Sequence, residues 1–125
     1  MVFRPRMGEL ERAVMEHLWG AAPAWSSVRD VHAALSGERE IAYTTVMTVL
    51  DRLAKKSLVR RRKEGRAHVY AAVSSRGAMT ADVMREALAE FGEQDRRTAL
   101  VAFVGEASEE ERAALREALA ELENR

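Results

Sequence analysis

The chain has 125 residues, 47% of them apolar and 32% charged, which suits one small domain, or one domain plus a short appended element. It has no cysteine, which excludes a disulfide scaffold, thiolate metal ligation and cysteine catalysis, and no apolar run reaches the roughly 20 residues of a membrane-spanning helix. Its zero net charge hides a division: residues 1–77 hold 14 Lys and Arg against 8 Asp and Glu, whereas residues 78–125 hold 6 against 12.

A first helix is expected from Met7 to Trp19, where Leu10, Val14, Leu18 and Trp19 share a face. Gly20 and Pro23 close it, and Trp25 lies in a short extended link. Trp19 and Trp25 read as core or core-edge residues. A second helix starts at Ser26 or Ser27, either of which can cap it, and buries Val28, Val31 and Leu35 up to Ser36-Gly37. A third runs from Tyr43 to Lys56 and buries Val46, Val49, Leu50 and Leu53. Its 3.6-residue period outweighs the slightly low helix propensity of Thr44-Thr45-Val46. Two extended arms over residues 58–73, joined at Glu64-Gly65, then read as a β-hairpin rich in cations. Parity alone does not decide whether Arg60 and Arg62 or Arg61 and Lys63 face outward.

From Arg76 onward the pattern is helical. Segments are expected over Gly77–Phe91, Asp95–Val104 and from Ser108 to the end, with breaks at Gly92 and Gly105. Ser108-Glu109-Glu110-Glu111 is a capping box. The predicted fold is therefore mostly α with a small β-hairpin wing. It comprises a winged helix-turn-helix domain over 7–75 and a C-terminal helical dimerisation region over 76–125.

In that plan the third helix reads DNA. Thr44, Thr45, Met47, Thr48, Arg52 and Lys55 lie on or beside the face opposite its buried stripe. Threonine bonds to base edges and sets its methyl against thymine, whereas Arg52 and Lys55 suit phosphate. Asp51 pairs with Arg52 or Lys55, or sits off the groove. Arg60, Arg62, Lys63 and Arg66 of the wing, with Arg61 among them, repel one another unless a polyanion lies alongside. Catalytic signals are weak: His17, His32 and His68 lie on different elements without metal-ligand spacing. Neither a catalytic site, a metal nor a cofactor is expected.

The C-terminal helices are short and need a surface to pack on. Leu88, Phe91, Leu100, Phe103, Val104, Leu115, Leu119 and Leu122 give them apolar faces. The economical partner is a second copy of the chain, giving a two-fold homodimer.

Three stretches carry a more specific likeness: Leu10-Glu11-Arg12-Ala13-Val14-Met15-Glu16-His17-Leu18-Trp19, the third helix from Ala42 to Lys56, and the wing from Lys63 to Tyr70. Together with Leu100-Val101-Ala102-Phe103-Val104 and the Ser108 helix, they resemble the penicillinase-repressor (BlaI/MecI) family over about Met7 to Leu122. The resemblance implies a cytoplasmic homodimeric repressor bound to double-stranded inverted-repeat operator DNA upstream of β-lactamase or related stress-response genes. It also implies release by a membrane sensor-protease system that cuts between Ala102 and Phe103. Many cleaved members carry Asn before that Phe, where this chain has Ala102. Copper-responsive relatives carry paired cysteines near the C-terminus, and this chain has none. The competing reading is a winged-helix protein–protein interaction module without specific DNA binding, its basic wing docking on an acidic partner.

Overall fold

The computed structural model describes residues 7–125. In chain order the elements are α1 (Glu9–Ala21), β1 (Ser26–Ser27), α2 (Val28–Ser36), α3 (Tyr43–Lys55), β2 (Val59–Glu64), β3 (Ala67–Ala72), α4 (Arg76–Glu90), a 3-10 turn (Glu93–Asp95), α5 (Arg96–Gly105) and α6 (Glu109–Glu123). The charged start, Met1 to Arg6, lies outside the described residues.

Local chemistry sets the helix boundaries. The Glu11 carboxylate accepts from the Gly8 backbone N–H at 3.3 Å and opens α1. The helix then passes through Gly20, which sequence had as a stop. A helical glycine costs about 1 kcal/mol relative to alanine but does not forbid the helix. The true stop is Ala22, extended at φ −55° and ψ 142°, as the residue before a proline favours. Ser27, not Ser26, caps α2: its Oγ accepts from Asp30 N–H at 3.0 Å, and Asp30 accepts from Ser27 N–H at 2.9 Å. This reciprocal pair holds the Asp30 carboxyl below its ordinary pKa. The capping box at Ser108 forms as expected, with its Oγ 3.1 Å from Glu111 N.

α3 ends in a Schellman turn. Leu58 N–H donates to Leu53 O at 2.9 Å and Ser57 N–H to Ala54 O at 3.0 Å. Ser57 takes φ +64°, a left-handed conformation usually given to glycine. The turn sends the chain straight into β2.

Val14, Met15, Leu18, Val31, Leu35, Val46, Val49, Leu50, Leu53, Val59 and Tyr70 form one buried cluster. Helix periodicity supplied most of it. Met15 was missed, although it is 1% exposed. Trp19 packs at the edge of this cluster, and its Nε1–H donates to Ser74 O at 2.9 Å. Arg76 lies 5.2 Å from the same ring and pairs with Glu16, so the start of α4 is fastened to α1.

The sheet has three antiparallel strands in the order β1-β3-β2. The hairpin was expected; β1 was not, because two residues show no alternation. Ser26 and Ser27 pair with Tyr70 and Val69. Buried Ser26 bonds to His17 Nε2 at 3.3 Å. The hairpin loop is Gly65-Arg66, and only Gly65 has positive φ, at +65°. That is the pattern of a II′ turn, which matches the right-handed twist of the strands.

The chain forms two compact units, one extending to Ala81 and one over Asp82–Arg125. The first turns of α4 belong to the first unit. In the second, none of α4, α5 and α6 has a buried residue. Leu88 and Leu115 are half-buried, whereas Phe91, Leu100, Phe103, Val104, Leu119 and Leu122 are exposed.

Candidate nucleic-acid interface

The inward stripe of α3 is Val46, Val49, Leu50 and Leu53. Helical geometry therefore sends Thr44, Thr45, Met47, Thr48, Arg52 and Lys55 outward, and all six are exposed. Thr48 Oγ1 donates to Thr44 O at 3.0 Å, which fixes its rotamer and leaves its lone pairs and methyl free. Met47 is 47% exposed and Tyr43 45%. Two apolar bodies among hydroxyls suit a groove that displays thymine methyls as well as polar base edges.

Tyr43 was absent from the sequence-derived site. Its ring meets His32 edge-on, with centroids 5.7 Å apart. His32 Nε2 lies 2.8 Å from Ile41 O. A carbonyl can only accept, so Nε2 carries the proton there. One histidine thus holds both the entry to α3 and the first side chain of that helix. Only its proximity to Tyr43 in space reveals this, and chain spacing does not show it.

α1 and α3 flank an open groove of about 640 Å³. Thr44, Thr45, Thr48 and Arg52 line its α3 side. Across it, Lys56 Nζ bonds to Glu11 Oε2 at 2.9 Å. That bond, with the Gly8 N–H, holds the Glu11 carboxyl below its ordinary pKa. Glu11 thus stays an anion tied to a cation beside the groove.

The wing resolves the question parity left open. Val59, Arg61 and Lys63 pair across the ladder with Ala72, Tyr70 and His68, on the face that packs toward the helices. Arg60 and Arg62 pair with Ala71 and Val69, on the opposite face. Arg61 reaches Asp51 on α3 at 3.5 Å, and Lys55 reaches the same carboxylate at 3.3 Å. Asp51 therefore ties α3 to β2. Arg60 and Arg62 instead lie over the ring of Trp25, at 5.2 and 4.3 Å from its centroid. Trp25, read from the sequence as a core or core-edge residue, is half-buried and stands outside the core cluster. Lys63, Arg66 and His68 are exposed near the tip.

The first unit therefore gathers hydroxyls, apolar contacts and cations on one helix and one hairpin, in a winged-helix topology. The profile of the penicillinase repressor family matches residues 7–121. The chain belongs to the penicillinase repressor family. It is a transcriptional regulator and not an enzyme. The chain is similar to "Transcriptional regulator BlaI" of Mycobacterium tuberculosis, strains CDC 1551 / Oshkosh and ATCC 25618 / H37Rv. Each is 53% identical over 119 residues, covering 94% of this chain and 86% of the relative. Among solved structures it resembles a MarR family protein from Bacillus stearothermophilus, with a TM-score of 0.50, 14% identity, and 96% of this chain and 75% of that one covered. It also resembles MepR, a transcription regulator of the Staphylococcus aureus multidrug efflux pump MepA. There the TM-score is 0.51 at 16% identity, over 94% of this chain and 78% of that one. At such identities the likeness is one of fold. Among the described residues, no cluster of His, Asp and Glu could hold a metal ion, and no helix is long and apolar enough to cross a membrane.

Proposed function

We propose that this protein binds an inverted-repeat operator as a homodimer and represses β-lactamase-type or related stress-response genes. The observation that carries the reading is the outward row Thr44, Thr45, Met47 and Thr48, flanked by Arg52, Lys55 and the basic wing. Thr48 and Met47 meet base edges. Arg52, Lys55, Arg60, Arg62, Lys63 and Arg66 meet phosphate and set the register of α3 in the groove. The naming of the 53% identical relatives as transcriptional regulators supports it.

Residues 76–125 supply the dimer contact, through Leu88, Phe91, Leu100, Phe103, Val104, Leu115, Leu119 and Leu122. Exposed apolar side chains at most of these positions favour a second copy as their cover. Release from the operator follows a cut between Ala102 and Phe103 by a membrane sensor-protease system. Phe103 lies on a ten-residue helix, and short helices open locally at low cost, which supports access to that bond when the dimer contact opens.

The test is a titration of the full chain, and of a chain lacking residues 94–125, against the duplex upstream of its own gene and a scrambled duplex. Measurements at several salt concentrations separate phosphate from base contacts. The full chain is expected to prefer its own upstream DNA and to lose affinity steeply as salt rises. The truncated chain is expected to be monomeric and to bind far more weakly. Binding without preference for any duplex would favour the protein-interaction reading of the wing.

A further inference from the structure

Trp25 is an aromatic side chain with no core to fill. It directly precedes β1, which lies on the far side of β3 from β2. On the outer sheet face, β3 contributes buried Val69 and the small Ala71. The long side chains of Arg60 and Arg62 span that shallow strip and set their guanidinium groups over the indole, at 5.2 and 4.3 Å. Arg62 is also held by Glu64, at 3.3 Å.

We propose that Trp25 is a positioning residue for DNA binding: its ring holds Arg60 and Arg62 as a preordered cationic pair on the outer face of the wing. The inference rests on the DNA-binding reading given above. Residues 60–63 are four consecutive cations, and their mutual repulsion would otherwise scatter the side chains. The negative face of an indole attracts a guanidinium and offsets that repulsion. Stacking leaves the edge N–H groups of a guanidinium uncovered; Arg62 gives Nη2 to Glu64, and its remaining N–H groups, with those of Arg60, are the donors that meet a phosphate. Side chains ordered before the encounter lose less freedom on binding. Alternation along β2 sends Arg61 to Asp51 instead, so the strand carries two rows of cations, each with its own brace.

The experiment compares wild type, Trp25→Ala, Trp25→Phe, Trp25→Leu, the pair Arg60→Gln/Arg62→Gln, and Trp25→Ala within that pair. Each is titrated against a labelled random-sequence duplex at several salt concentrations, with circular dichroism and melting to establish folding. Trp25→Ala should weaken binding about fivefold, from the size of exposed cation–π contacts. Its salt slope should not change, because both charges remain. The arginine pair should instead lose roughly two from the slope. Within the pair, Trp25→Ala should have no further effect on affinity. Phenylalanine should restore most of the binding, and leucine, with bulk but no ring, should not. These last two variants decide the matter if the alanine variant does not fold. Wild-type affinity in Trp25→Ala, or equal binding by the Phe and Leu variants, would overturn the proposal. So would an undiminished effect of Trp25→Ala in the pair, which would mean that the ring acts through the fold or touches DNA itself. A wild-type chain that binds no duplex at all would overturn the DNA-binding reading with it.

Discussion

Thr48 and Arg66 are both exposed threads of the same surface, yet they should fail in different ways when removed. Thr48 sits mid-helix with its rotamer fixed by Thr44 O, so its methyl and lone pairs have one direction to offer. Replacing it by alanine should shift preference among half-site variants by about 1 kcal/mol and leave scrambled DNA nearly unaffected. Arg66 lies exposed in the hairpin loop. Arg66→Gln should weaken every sequence alike and lower the salt slope by about 0.9. Titrations of both variants on matched and mismatched duplexes check the contrast. The outward set on α3 was legible in the sequence because a 3.6-residue period with four apolar anchors leaves one solution. Asp51 was legible in part: Lys55, one of its expected partners, lies 3.3 Å away. Its second partner, Arg61, lies on another element, and the Schellman turn at Ser57 brings the two within 3.5 Å. Tyr43 escaped for a similar reason: its fixing contact is with His32 on the preceding helix.

At the scale of elements, the joint between α3 and the wing is the point of compromise. Ser57 carries a side chain in a backbone region that costs an L-residue about 1–2 kcal/mol. Ser57→Gly should therefore raise stability, by about 0.5–1 kcal/mol after the greater chain entropy of glycine is deducted. A higher melting temperature with unchanged DNA affinity is the expected result. A second joint is the Glu11–Lys56 pair, which ties α1 to the residue that caps α3. The folded Glu11 pKa lies below its ordinary value of 4.5. Stability from this pair is therefore complete above that value and is lost as pH falls through the lowered one. Lys56 is 55% exposed, so the contribution is small, roughly 0–1 kcal/mol. Glu11→Gln should lower stability at neutral pH by that amount, leave it nearly unchanged below the lowered pKa, and so flatten the acid limb; denaturant midpoints from neutral pH into the acid range measure it. The order of helices and hairpin was readable from period and turn residues. The third strand was not, since Ser26–Ser27 is defined by pairing with β3 and not by any pattern of its own. Wing parity needed the β2–β3 pairing, because a strand whose outward and inward residues are both cations carries no polarity signal.

The whole molecule joins a unit with an interior to one without. The first has eleven side chains in one buried cluster. In the second, α5 and α6 have none buried, and Val101, Leu119 and Leu122 are each more than half exposed. Two melting transitions are expected. The one belonging to residues 82–125 should move upward as protein concentration rises, and the other should not. Calorimetry over a hundredfold dilution series would show it, and two transitions that ignore concentration would count against the homodimer. A cleavage site engineered at 102–103 should, once cut, abolish the concentration-dependent transition and weaken operator binding, with the first unit's melting unchanged. The acid–base split between the halves was plain in the sequence; the missing interior was not, because an apolar helix face reads the same whether its own chain or another covers it. That missing interior also bears on how long the protein survives in a cell. In the proposed homodimer, a copy without its mate would display leucines and phenylalanines as a nascent or damaged chain does, and quality-control proteases select on that display. Copies made in excess of pairing would be destroyed first, so the supply of repressor would be trimmed by its own turnover, with no signal from outside.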